Sequence, residues 1–451
     1  MTRYLPRALV GALLLVATVF VTQSAQAVEV QRVRSPGGIE AWLVEDHSNP
    51  IVSVSLAFRG GAALDPLGKE GLATTVAALI DEGAGDLDSQ AFQGRLDDLS
   101  ISLHFSAGMD SFTGELQSLT ENRDTAFDLL RLALTEPRFD DEPVGRIRGQ
   151  ILAGLARQAE DPDTIAGRVL NKLLYPQHPY GRPSGGTLES IATLQVDDMR
   201  HFVADRFGRD TLVIGVVGDI SAAELAPLLD RTFQALPAQA AAFNVPRIDP
   251  NASGDVVVIE KDVPQSVVVF GQNGIARDDP DYYTAYAVNY ILGGGGFASR
   301  LYEEVREKRG LAYSVYSYLF PLDRSAMVIG GVGTQNSRVA ESLDLIRQEW
   351  QRIAEEGPTE DELRDAKTYL TGSFPLRFSS SSRIAGMLVG MQIENLGIDY
   401  LDRRNSFIEA VTVEDARRVA RRLYNASTLT IVVVGRPDGV TPTRPAPKLE
   451  G

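Results

Sequence analysis

Two short apolar patterns, far apart in the chain, set out its organisation. Residues 196–207 place apolar side chains at helical spacing, and residues 211–218 form the continuous apolar run of a buried strand. The same helix-then-strand order returns at residues 413–424 and 428–435, at a constant offset of 217 and without a gap. Nine of the 23 aligned positions are identical, among them Asp198, Arg200, Leu212 and Gly218. Identity at that density across both elements points to duplication. The openings of the two halves agree more loosely, since residues 51–60 and 266–271 each read as a strand running into a Gly-rich turn. Between the halves, residues 237–254 carry Pro237, Pro246 and Pro250 around an Ala-rich run, which is the composition of a linker. The chain thus divides into residues 28–236 and residues 255–436, each alternating antiparallel-type strands with long helices. After Arg436, four prolines (Pro437, Pro442, Pro445 and Pro447) and no apolar periodicity predict a disordered tail at residues 437–451.

The first residues read as an address label. Arg3 and Arg7 precede an apolar stretch at residues 8–21, and Ala25-Gln26-Ala27 supplies the small-x-small pattern of a signal peptidase site. That stretch is shorter than the roughly 20 residues needed to span a bilayer. Residues 1–27 are therefore expected to be a signal peptide cleaved after Ala27, with an uncleaved membrane anchor as the alternative, and the mature protein to be periplasmic or secreted. A formal net charge of −16 argues against a phosphate backbone as main partner, because nucleic-acid binders need a basic footprint, although it leaves room for a local basic patch. With no cysteine, disulfides, thiol catalysis and thiolate metal sites are excluded as well. A transition metal would have to rely on carboxylates and the four histidines His47, His104, His178 and His201, no two of which are spaced three or four apart. There is no Gly-x-Ser-x-Gly elbow and no phosphate-binding loop.

Residues 71–83, Gly-Leu-Ala-Thr-Thr-Val-Ala-Ala-Leu-Ile-Asp-Glu-Gly, are apolar almost all round and end on a natural stop, so they predict a buried helix. They follow a strand, the turn Arg59-Gly60-Gly61 and Pro66-Leu67-Gly68-Lys69-Glu70. In this setting the helix resembles that of the pitrilysin and insulinase family of metallopeptidases, the inverzincins. The resemblance extends over nearly all of the expected mature chain, including the duplicated halves, Ser106 to Glu115 and His178-Pro179-Tyr180-Gly181. It implies an α+β fold of two homologous domains, each an antiparallel-rich sheet packed with helices, as in mitochondrial-processing-peptidase-like proteins. In that family the helix carries His-x-x-Glu-His, where two His bind zinc and Glu is the general base. Here the first His falls on Thr74, the Glu on Ala77 and the second His on Ala78, and the family's third ligand, a Glu further along, falls on Gly154. The zinc ligands and the base are all missing, so no cofactor is expected in this chain and zinc only in a partner subunit.

The second half keeps a stronger signal. Residues 291–316 run from four consecutive glycines (Gly293 to Gly296) through a segment that reads as a Ser299-capped helix, with Leu301, Tyr302 and Val305 facing inward and a stop at Gly310. Arg306 is followed seven residues later by Tyr313, and this spacing matches the family's second-domain Arg/Tyr pair. The resemblance gives that pair contact with the substrate peptide opposite the zinc. A guanidinium and a phenol are suitable donors to peptide carbonyls. The expected function is that of a non-catalytic, substrate-binding subunit of an exported heterodimeric zinc metallopeptidase acting on unfolded peptides bound at a sheet edge. The alternative is a peptide-binding or assembly protein with no catalytic partner.

Overall fold

The computed structural model describes residues 29–449. The expected signal peptide, residues 1–27, lies outside them. The first half builds a six-stranded sheet from β1 (Gln31–Arg34), β2 (Glu40–Glu45), β3 (Ile51–Arg59), β4 (Ser102–Ala107), β5 (Ser111–Leu119) and β6 (Leu212–Gly218), in the order β1-β2-β6-β3-β5-β4. The second builds a five-stranded sheet from β7 (Val256–Glu260), β8 (Gln265–Asn273), β9 (Ala312–Leu322), β10 (Ser325–Gln335) and β11 (Thr430–Gly435), in the order β7-β11-β8-β10-β9. Apart from β1, the two orders correspond strand for strand. Each sheet is antiparallel except for one pair, β2 with β6 and β7 with β11. The repeated strand pattern of the sequence is β6 and β11, and the repeated helix pattern is Val196–Arg206 and Val413–Leu423. Register agrees too, with Val54 opposite Val216 in one sheet and Val268 opposite Val433 in the other.

Burial follows position in the sheet. Central β3, Ile-Val-Ser-Val-Ser-Leu-Ala-Phe-Arg, is buried along nearly its whole length because both its faces are covered. Edge strand β4 alternates, with Leu103 and Phe105 inward and Ser102, His104 and Ser106 outward. Each sheet covers one face with helices of its own half, giving one core around Phe58, Phe112 and Phe207 and another around Phe270, Trp350 and Tyr424.

The opposite faces are covered by exchange. Helix Pro162–Leu174 belongs to the first half by sequence but packs on β8 and β11 of the second. Its start is set by Asp161, whose carboxylate accepts from the Thr164 N–H at 2.8 Å, with Pro162 pre-shaped for the first turn. Its stripe of Ala166, Val169, Leu170, Leu173 and Leu174 closes on Val257, Val432 and Val434. Reciprocally, helix Ser381–Ile393 of the second half packs on β3 and β6 of the first, where Ala385, Leu388 and Met391 meet Trp42, Val44 and Val217. The approach is close enough to require a glycine, since a Cβ at Gly215 would lie 2.5 Å from the Ala385 carbonyl oxygen. The two halves of the sequence are therefore not two independent packing units.

Residues 237–254 form no helix or strand but are fastened to both halves, with the Ala241 N–H on the Asp205 carbonyl, the Ile248 N–H on Arg324 and the Asn251 N–H on Leu174. Residues 437–449 depart from the expected disordered tail. Thr443 exchanges hydrogen bonds with the Val256 backbone, Arg444 pairs with Asp255 at 3.2 Å, and Leu449 reaches the apolar cluster under helix Pro162–Leu174. Prolines remove donors from this segment, but Thr443 keeps its own and finds the free edge of β7.

Candidate functional site

The helix at the family's zinc position is Leu72–Ala77, shorter than the pattern of residues 71–83 predicts. Beyond Ala78 the hydrogen bonds tighten, with the Leu79 N–H on Val76 and the Glu82 N–H on Leu79, and the chain breaks at Gly83 with φ of +106°. Its first turn is held by the Asp65 carboxylate, which accepts from the N–H groups of Gly71 at 2.9 Å and Ala73 at 3.1 Å. Burial pushes the Asp65 carboxyl up to about 7 although both N–H groups favour its charged form. At the far end, burial likewise pushes Asp81 up to about 6.

None of the four positions offers a metal ligand. The Thr74 hydroxyl donates to the Ser184 carbonyl at 2.8 Å, and Ala77 and Ala78 carry no donor atom. Gly154 lies on helix Asp141–Gln158, which packs against Leu72–Ala77, so the frame of the family's site persists without its ligands. These residues do not fit zinc. Among the described residues no group of three or more His, Asp or Glu is placed to hold a metal ion.

The residues singled out in the second half do come together. Arg306 and Tyr313 flank a turn that reverses at Gly310, φ +59°. The Arg306 Nη1 donates to the Tyr313 carbonyl, and the guanidinium lies 4.6 Å from the Tyr313 ring centroid, 4.8 Å from that of Tyr302 and 5.8 Å from that of Phe297. Arg306 is thus occupied in fixing Tyr313, a residue that is 82% exposed. No side chain among the described residues accepts from or donates to the Tyr313 hydroxyl. Phe297 and Tyr302, the other walls of this cluster, were not marked by the Arg/Tyr spacing.

The segment Tyr302–Glu307 winds as a wide π-type turn rather than the expected α-helix, although Leu301, Tyr302 and Val305 face inward as the pattern predicts. Ser299 does not cap it. Its hydroxyl donates back to the Gly296 carbonyl at 2.8 Å, because the preceding glycines form a tight turn of their own. That turn lies against β9, where a Cβ at Gly293 would fall 2.4 Å from the Ser317 hydroxyl, so part of the glycine run is explained by packing. Beneath it Asn289 and Ser317 exchange two hydrogen bonds, at 2.9 and 3.0 Å.

From this turn β9 continues as an edge strand whose outward residues are aromatic. Tyr316 and Tyr318 stack with centroids 5.9 Å apart, and Phe320 follows at 6.2 Å. The sequence signal is the two-residue period of aromatic side chains at 316, 318 and 320. Unpaired backbone beside exposed rings suits an extended peptide.

The histidines are scattered. His104 and His201 are exposed. His178 is buried and structural: its Nδ1 accepts from the Tyr180 N–H, so the proton sits on Nε2, which donates to the Pro246 carbonyl at 2.9 Å. His47 is exposed, and the Asp219 carboxylate hydrogen-bonded to it at 2.7 Å, helped by Glu45, raises its pKa. A raised pKa stabilises the fold fully below the ordinary histidine value of about 6.5, and that contribution is lost as pH rises through the folded value. His47→Gln is expected to flatten stability against pH in that window. An unchanged slope in denaturant titrations above about pH 6.5 would show that the pair contributes nothing.

Comparison with known proteins agrees with this geometry. Residues 193–370 match the family description "Peptidase M16 inactive domain". A Helicobacter pylori protein named "Non-peptidase homolog YmxG" is 32% identical over 342 residues, covering 75% of this chain and 79% of that protein. A protein of Streptomyces coelicolor named an uncharacterized zinc protease is 30% identical over 341 residues, covering 71% of this chain and 73% of that one. The crystal structure of a peptidase M16 inactive domain from Pseudomonas fluorescens is similar over 93% of this chain and 100% of its own, at 30% identity and a TM-score of 0.83. With the duplicated sheets in place and the zinc positions filled by Thr74, Ala77, Ala78 and Gly154, the chain belongs to the M16 family, of pitrilysin and insulinase type, as a non-catalytic homologue.

Proposed function

We propose that this chain is the non-catalytic, substrate-binding subunit of an exported heterodimeric zinc metallopeptidase, working in the periplasm or outside the cell. Zinc and general base belong to a homologous partner carrying His-x-x-Glu-His. The observation that carries the reading is the exposed Tyr313 hydroxyl on a backbone position held by Arg306, in a chain whose own zinc helix has lost every ligand. The Tyr313 phenol donates a hydrogen bond to the scissile carbonyl as negative charge grows on its oxygen. The substrate is an unfolded peptide added as a strand along a sheet edge, and the aromatic row on β9 supports that mode.

The mature chain purified from its native compartment is expected to co-elute with a homologue bearing the intact zinc motif. Alone, it should hold no stoichiometric zinc and leave unstructured peptides uncut. One tightly held zinc per isolated chain, or chelator-sensitive cleavage by it, overturns the reading. A chain that elutes alone yet binds extended peptides supports the alternative, a peptide-binding or assembly protein without a catalytic partner, which the row on β9 would serve.

A further inference from the structure

A cleft of about 290 Å³ opens in the second half between helices Tyr282–Asn289, Ser381–Ile393 and Tyr400–Glu409 and the turn Phe374–Phe378. It is unrelated to the Arg306 cluster and plays no part in the proposed function. Three guanidinium groups line it, from Arg277, Arg377 and Arg404, against one carboxylate, Glu394. In a chain of net charge −16 this is a local excess of positive charge.

The three cations are not equivalent. Arg277 is neutralised and fixed: its Nε donates to Glu394 at 2.6 Å, its Nη2 donates to the Tyr283 hydroxyl at 3.0 Å, and its plane lies 4.3 Å from the Tyr282 ring centroid. Arg404 is only 5% exposed, yet no carboxylate among the described residues pairs with it. Its Nη1 donates to two neutral acceptors, the Leu370 carbonyl at 2.7 Å and the Asn405 amide oxygen at 2.9 Å, and its plane stacks 4.2 Å from the Phe374 ring centroid. Neither its Nε nor its Nη2 hydrogen-bonds to a described protein atom, and neither is sealed from solvent. Buried charges are ordinarily paired, because removing an ion from water costs several kcal/mol unless a counter-charge offsets it. Arg377 is exposed at the mouth and forms no ion pair among the described residues.

We infer that this cleft is a binding site for an organic carboxylate on an aromatic body, with the carboxylate on Arg404 and Arg377. The planar fork of Arg404 presents two free donor atoms, which suits two carboxylate oxygens. The walls supply the rest of the preference: Tyr286, with the parts of Tyr282 and Phe374 that Arg277 and Arg404 leave uncovered, offers aromatic contact, and Met387 and Met391 offer adaptable apolar contact. The volume lies at the small end for ligand sites, so it takes a group the size of one aromatic residue. Two sources share that chemistry, a free aromatic acid and the C-terminal residue of a peptide.

The test is calorimetric titration of the mature full chain with N-acetyl-phenylalanine, its amide, a tetrapeptide ending in Phe with a free carboxylate, the amidated tetrapeptide, and inorganic phosphate. At least one of the two acids should bind one-to-one, and its amide should bind roughly tenfold to a hundredfold more weakly, the range expected for a charge-assisted hydrogen bond. Equal binding of both acids assigns the site to free aromatic acids as well as chain ends, and binding of the tetrapeptide alone assigns it to chain ends. Arg377→Ala, at an exposed position, should weaken acid binding severalfold with an unchanged melting temperature, and Arg404→Lys should weaken it more by removing the fork. Saturation by neither acid up to millimolar concentration, equal affinity for acid and amide, or phosphate binding as tightly as the acids would overturn the assignment.

Discussion

Turnover by a reconstituted complex carrying Tyr313→Phe is expected to fall by about 10²–10³ per assembled complex, the usual cost of losing one oxyanion donor. The structure makes this substitution a clean one. The Tyr313 hydroxyl bonds to no side chain among the described residues, and the contact with Arg306 runs through the Tyr313 carbonyl and ring face, both of which Phe retains. Folding and assembly should therefore be unchanged. Arg306→Ala should reproduce much of the loss by releasing Tyr313, and adding Tyr313→Phe to it should cost little more, since the two act as one unit. Turnover within threefold of the parent in Tyr313→Phe would leave the chain a scaffold.

A loss of about 3–5 kcal/mol in folding stability is expected for Trp350→Ala. Trp350 is fully buried beneath β8, edge-on to Phe270 at 5.4 Å and to Tyr424 at 5.3 Å. Its indole N–H donates to the Gln272 amide oxygen at 2.7 Å, while the Gln272 Nε2 donates to the Leu423 carbonyl, so one buried polar side chain of β8 is satisfied partly through the ring. Alanine removes the ring contacts and that donor together. Trp350→Phe keeps most of the apolar area and should cost about 1–2 kcal/mol for the hydrogen bond and altered shape. Denaturant unfolding of both variants checks this, and a Trp350→Ala loss below about 1 kcal/mol would mean the core collapses around the gap.

Legibility in the sequence followed the range over which each signal acts. Duplication was readable because Val196 to Gly218 and Val413 to Gly435 repeat without a gap, whereas the Arg306–Tyr313 spacing marked the pair only through the family resemblance and did not announce that the guanidinium fixes the Tyr313 backbone across the Gly310 reversal. The missing zinc ligands needed only the identity of four positions. The exchange of helices was not readable. The stripe at 166, 169, 170, 173 and 174 announces a buried face but contains nothing to say which sheet receives it. Arg404 is a similar case: in Asp402-Arg403-Arg404 neighbouring arginines look alike, yet Arg403 pairs with Asp399 at the surface while Arg404 turns inward beside Phe374. The fastening of Thr443 and Arg444 was not readable, because proline content reports on local stiffness and not on the unpaired edge of β7 that Thr443 finds.

Seen as two copies of one ancestral unit, the chain is a swapped dimer whose subunits have been fused in tandem. A single copy would present a bare apolar sheet face, Val432 and Val434 in one case and Trp42 and Val217 in the other, and a helix with nothing to cover. The smallest form of this architecture that covers both apolar sheet faces is therefore the pair. A cut within residues 237–254 would nick a covalent dimer instead of releasing two domains, and a gene divided there would encode chains that depend on finding each other.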